Sequence, residues 1–135
     1  MTTLTGYSDA TPLRTVDAVR PLGRGTTIAL WVVQAAAAAL FLSAGIPKLI
    51  GAATMVQMFE TIGAGQWFRY LTGGIEVVSA VLLLVPSLAF FGAIVLIPTM
   101  IGAVITHVFV VGGSPVPAAV LLLATVGIAW ARRPR

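Results

Sequence analysis

Lys48, Glu76 and His107 are ionisable residues set in sequence that is otherwise apolar, and residues 77–131 contain no Asp, Glu, Lys or Arg at all. Ionisable groups at membrane depth cost about 2.5–3.5 kcal/mol each on insertion scales, so each needs a partner or a task. Two uses fit these three. In one, Lys48 and Glu76 neutralise each other and His107 bonds a backbone carbonyl. In the other, they form the polar head of a pocket that opens toward the outer leaflet. Such a pocket takes an amphiphile such as a quinone, whose carbonyl His, Glu and Lys can bind or supply with protons.

The elements that must position these groups follow from length and turn chemistry. A helix crosses a bilayer with about 20 apolar residues. The uncharged run is far longer than that, and it is cut at Val85-Pro86-Ser87 and at Gly112-Gly113-Ser114-Pro115, where the backbone favours turns. With the apolar stretch 25–47, this predicts helices at 27–50, 67–84, 88–111 and from Pro115 or Pro117 to Trp130. The first apolar segment is too long for the 7–15-residue core of a signal peptide and reads as a retained helix. Pro98 should kink the third helix. Between the first two, Met55, Met58, Phe59 and Ile62 recur at i, i+3, i+4, i+7, the pattern of a short amphipathic helix on the membrane surface, closed by Gly63 and Gly65. The expected fold class is an all-α integral membrane protein, a four-transmembrane-helix bundle with this interfacial helix between helices one and two. Residues 1–25 read as a flexible cytoplasmic tail, 26–131 as the membrane domain and 132–135 as a basic cytoplasmic end.

With helices one and three running outward and helix two inward, Lys48, Glu76 and His107 reach one outer-leaflet layer from three helices. Their faces agree. Gln34, Ala38, Phe41, Gly45 and Lys48 form one stripe; Gly73, Glu76, Ala80 and Leu83 a second; Met100, Ala103 and His107 a third. Small residues beside polar ones mark faces packed against helices. Gln34 reads first as a helix–helix hydrogen bond. Met55, Met58 and Phe59 read as lipid anchors that could also cap a pocket. Glu60 and Arg69 read as solvated interface charges, and Trp67-Phe68-Arg69-Tyr70 as an interfacial cluster.

Composition bounds the function. Hydrophobic residues make up 59% and charged residues 9%, against about 25% charged in soluble domains. The net charge is +4, and most of the basic residues flank the apolar part: Arg14, Arg20 and Arg24 before the first apolar segment and Arg132, Arg133 and Arg135 after the last. That distribution orients a plasma-membrane protein with both termini cytoplasmic, and is no nucleic-acid footprint. Without cysteine the chain performs no thiol–disulfide exchange and holds no cluster by thiolates; with one histidine it cannot ligate a haem from both sides. No metal site or covalently bound cofactor is expected, and in any redox role a partner or diffusible cofactor carries the electrons. The inner half offers only Gln34, Ser79 and Thr125, which speaks against a proton path through the membrane and for a pocket open to one side.

From Phe41 onward the chain resembles the DoxX-like family of small four-helix membrane proteins. The resemblance rests on Gly45-Ile46-Pro47-Lys48, Met55-Val56-Gln57-Met58-Phe59, Gly63-Ala64-Gly65-Gln66-Trp67-Phe68-Arg69-Tyr70, Gly73-Gly74-Ile75-Glu76, Met100-Ile101-Gly102-Ala103, Thr106-His107 and Gly112-Gly113-Ser114-Pro115. Some relatives resemble a subunit of thiosulfate:quinone oxidoreductase and others associate with membrane redox and detoxification systems. The resemblance therefore implies a four-helix bundle and a quinone connection, while the lack of cysteine argues against direct sulfur chemistry. The candidate ligand-binding residues are Lys48, Glu76, His107, Thr106, Gln34, Phe59 and Trp67. The expected role is an accessory or quinone/lipid-binding component of a membrane oxidoreductase system, non-catalytic rather than catalytic. A small transporter or proton-handling protein, or a purely structural membrane partner, is the alternative. Expected partners are the lipid bilayer, a quinone or lipid ligand, oxidoreductase subunits and a second copy of the chain.

Overall fold

Glycine and proline divide the apolar sequence where turn chemistry says they should. In the computed structural model, which describes residues 22–134, the elements are α1 (Arg24–Ile50), α2 (Ala53–Ile62), α3 (Gln66–Leu83), α4 (Ala89–Thr106) and α5 (Val116–Arg132). Gly51 and Gly63 close α1 and α2 in the left-handed region, at φ 72° and 77°, which an L side chain resists. No strand occurs among the described residues. The expected tail falls mostly on residues 1–21, which lie outside the described residues, as does Arg135.

Two departures from the sequence expectation matter for the site. The helix carrying Pro98 changes its winding at His107, where a π-helical turn runs over His107–Val111. Such turns recur at functional positions. Second, the apolar stripe of α2 caps a space between the helices, lined by Met58, Phe59 and Ile62. Phe59 is buried against α3, its ring edge-on to Phe68 at 5.9 Å.

α1 packs most extensively on α3 and α4 on α5, while α3 joins α4 and α1 touches α5. Their shared core is built from Ala37, Ala38 and Phe41 of α1, Ala80 and Leu83 of α3, Ala93, Leu96 and Met100 of α4, and Ile128 and Ala129 of α5. Small residues set the helix spacing. A Cβ on Gly73 would sit 2.9 Å from Lys48 Cβ, and one on Gly92 would sit 2.9 Å from Ser79 O. So α1 and α3 meet at the level of Lys48, and α3 and α4 meet near the turn that joins them. Gly92→Val should therefore force those helices apart and lower stability by about 1–3 kcal/mol, the usual cost of overpacking, read as an earlier thermal transition in detergent.

α1 and the continuous Ala89–Val111 helix are long and apolar enough to cross a membrane, with mean hydropathy 1.9 and 2.4. Only 11% of the second span's most apolar window is buried; Phe91, Ile101, Ile105 and Phe109 face outward. An apolar helix left uncovered by protein suits a lipid surround, where its backbone groups are satisfied internally.

Candidate functional site

Lys48 lies in the last turn of α1 and Glu76 in mid-α3, and the bare backbone of Gly73 lets the two helices close between them. Lys48 Nζ stands 2.6 Å from both carboxylate oxygens of Glu76, whose side chain is only 2% exposed against 15% for the lysine. An ammonium has three N–H groups. Two are committed to Glu76, and the third remains for whatever occupies the space beside it.

That space is a cavity of about 630 Å³. It opens because α3 and α4, pinned together at Gly92, leave a gap toward the other end of the molecule. α2 covers the gap with Met58, Phe59 and Ile62, and the long wall on α4 runs from Ile94 to His107, roughly 20 Å at 1.5 Å per residue. The cavity lining is more apolar than its residue types suggest. Thr72 and Thr99 turn their hydroxyls to carbonyls of their own helices, Phe68 at 3.0 Å and Val95 at 3.3 Å. His107 Nδ1 lies 2.8 Å from Ala103 O. A carbonyl only accepts, so Nδ1 carries the proton and Nε2 of the neutral ring is an acceptor. A smaller space of about 230 Å³ beside α1 is also lined by Lys48, Met58 and His107.

Of the residues singled out from the sequence, Lys48, Glu76, His107, Thr106 and Phe59 line the main cavity. His107 makes no hydrogen bond to the Lys48–Glu76 pair; its ring nitrogen is engaged by its own helix. Gln34 and Trp67 are elsewhere. Gln34 is fully buried at the opposite end, where its Nε2 donates to Leu83 O at 2.6 Å. Trp67 is 64% exposed, edge-on to Phe68 at 5.7 Å. The α4 wall also includes Val95, Thr99 and Gly102. Val95, Thr99, Gly102 and Thr106 follow i, i+4, i+7, i+11, a stripe of small side chains that could have been read from the sequence.

Arg69 corrects the sequence expectation. It is 4% exposed rather than solvated. Its Nη1 donates to Lys48 O, its Nε donates to Gln66 Oε1 at 2.6 Å, and its guanidinium lies 4.2 Å over the Tyr70 ring. The last carbonyls of a helix lack intrahelical donors and form its negative pole, so Arg69 caps α1 from α3. Gly51 turns the chain beside it at positive φ, and a Cβ there would meet Nη1 only at ordinary contact, 3.6 Å. Arg69 thereby fixes the backbone that carries Lys48. Arg69→Ala should destabilise by about 1.5–3 kcal/mol, as expected for hydrogen bonds from a charged donor. Arg69→Lys should recover little, because a point charge cannot hold both acceptors; thermal unfolding of the two variants measures both.

A family model described as DoxX-like matches residues 32–129. The chain belongs to the DoxX-like family. The matched region contains every residue that lines the cavity of this DoxX-like protein, from Lys48 to His107. No curated protein and no solved structure matches the chain.

Proposed function

We propose that this DoxX-like protein is a ligand-binding membrane component that holds the head of a quinone- or lipid-type amphiphile in its cavity, as an accessory to a membrane oxidoreductase system. The observation that carries this reading is the cavity itself: an apolar space of about 630 Å³ headed by the Lys48–Glu76 pair and by His107. The paired charges cancel, so the head of the site favours a neutral ligand. Lys48 can donate to a ligand carbonyl and His107 Nε2 can accept from a ligand hydroxyl. A quinone and its reduced form present those two groups on one ring. With no cysteine and one histidine, the chain leaves electron transfer to the ligand and a partner protein. A proton-conducting role is less favoured, because Phe41, Ala80, Leu96 and Met100 form apolar core between the Glu76 and Gln34 levels.

Mild-detergent extraction followed by mass spectrometry tests the reading. A bound isoprenoid quinone or single lipid at near-stoichiometric yield is expected. Extraction of bulk membrane lipid alone, in proportion to its abundance, would contradict it.

The reading includes four crossings (α1, α3, α4 with its π-turn, and α5) with both termini cytoplasmic and α2 on the outer face. It draws on the arginines at both ends of the chain and the even number of long helices. Single cysteines introduced at Gln57 and Thr11 check it. An impermeant thiol reagent on intact cells should label residue 57 and spare residue 11, and the reverse pattern would invert the topology.

A further inference from the structure

The smaller space beside α1, about 230 Å³, differs from the main cavity in the donors it gathers. Ser43, Pro47 and Lys48 of α1 form one side, Met55 and Met58 of α2 a second, and His107 the third. Met55 and Met58 are three positions apart on α2 and so lie on one face, one turn from each other. α2 in turn packs against the π-helical turn that begins at His107. Two thioethers and the chain's one imidazole therefore line the same space. It is open to small solutes: Ser43 is exposed, and Met55, Met58 and His107 are each half-buried.

We propose that Met55, Met58 and His107 bind a soft monovalent metal ion, copper(I). The state of the imidazole supports this. His107 Nδ1 lies 2.8 Å from Ala103 O and is committed there as a donor, which leaves Nε2 with a free lone pair. Ligating histidines are fixed in this manner, with the other ring N–H held by a carboxylate or a backbone carbonyl. The donor set then selects the ion. The chain has no cysteine, and among the described residues no three His, Asp or Glu side chains come together, so hard and borderline ions lack ligands. Thioethers favour copper(I). Their flexible stems let both sulfurs adjust to the ion. Lys48 faces the same space, but its charge is balanced by both oxygens of Glu76 at 2.6 Å, so the ion meets a neutral pair. Met55 lines the smaller space and not the main cavity, and the proposal stands apart from the amphiphile reading.

Methyl NMR of the full-length protein in neutral detergent tests the site, with labelled methionine and with silver(I) as a redox-inert substitute for copper(I). The methionines are Met1, Met55, Met58 and Met100. One equivalent of silver(I) should move the methyl resonances of Met55 and Met58 and leave that of Met100, buried in the core, in place. Competition with a chromophoric copper(I) chelator under mild reductant gives the affinity. Met55→Leu and Met58→Leu conserve volume, so each should keep the wild-type unfolding transition. Each should weaken copper(I) binding by at least about tenfold, since losing even an outer-shell partner costs that much. Zinc(II) should leave both methyl resonances unmoved. Silver(I) that moves the Met1 methyl alone, or moves Met55 and Met58 only in large excess, would show adventitious binding and overturn the proposal. Unchanged copper(I) affinity in Met55→Leu would overturn it too, as would zinc(II) that binds as tightly as copper(I).

Discussion

Glu76→Gln alone should be more damaging than Lys48→Met and Glu76→Gln together. In the single variant the Lys48 ammonium stays in a nearly closed site, 15% exposed, and loses the carboxylate that holds it with two bonds of 2.6 Å. Breaking a buried pair by removing one partner costs about 3–5 kcal/mol, whereas replacing both with neutral groups of similar volume is often close to neutral. Methionine suits the lysine position because its unbranched thioether fills the path of the lysine stem against Gly73. Thermal unfolding of the wild type, the two singles and the double gives the coupling energy. A double variant as stable as the wild type or nearly so is the expected result. Strict additivity would mean that the two side chains do not meet in the protein.

The expected ordering also separates the two roles of the pair. Its contribution to stability is local to α1 and α3, and a neutral substitute preserves it. In the proposed binding role its contribution is the third ammonium N–H, which the double variant removes. A double variant that is stable but no longer responds to ligand is therefore the signature of a pair that serves the cavity as well as the fold.

The sequence made the helices legible because Gly51, Gly63, Gly65 and Pro115, whose backbone preferences are local, cap four of the helix ends. It also placed Lys48 and Glu76 on packed stripes of two different helices, because Gly45 and Gly73 lie one turn from each on those stripes. Three features were not legible. Arg69 next to Tyr70 carries the signature of a snorkelling interface arginine, and only the chain's return through α2 shows that the C-terminal carbonyls of α1 lie within its reach. The i, i+3, i+4, i+7 pattern of α2 identifies an apolar face but does not say whether lipid or α3 covers it. His107 begins a π-helical turn, and winding of that kind depends on one displaced hydrogen bond that no residue type dictates. Gln34 was legible as a buried helix–helix contact, yet its partner is almost a hundred residues away, at the end of α5.

The central claim is that the cavity between α3 and α4 holds an amphiphile by its head, and a thermal-shift titration with a short-chain quinone in neutral detergent tests it most directly. Wild type should melt later as ligand is added, with stabilisation approaching about 2.7 kcal/mol at a hundredfold excess over Kd. His107→Ala should remain folded, since it breaks no ion pair, and should lose most of the shift because the acceptor at the head of the site is gone. Gly102→Leu supplies a steric control. Gly102 lines the cavity and has nothing within 4 Å of an added Cβ, so leucine enters empty space, favours the helix over glycine and occupies the volume the ligand needs. This variant should melt no earlier than wild type without ligand and should not respond to it. A wild type that shows no shift, or a Gly102→Leu variant that shifts as wild type does, would contradict the account.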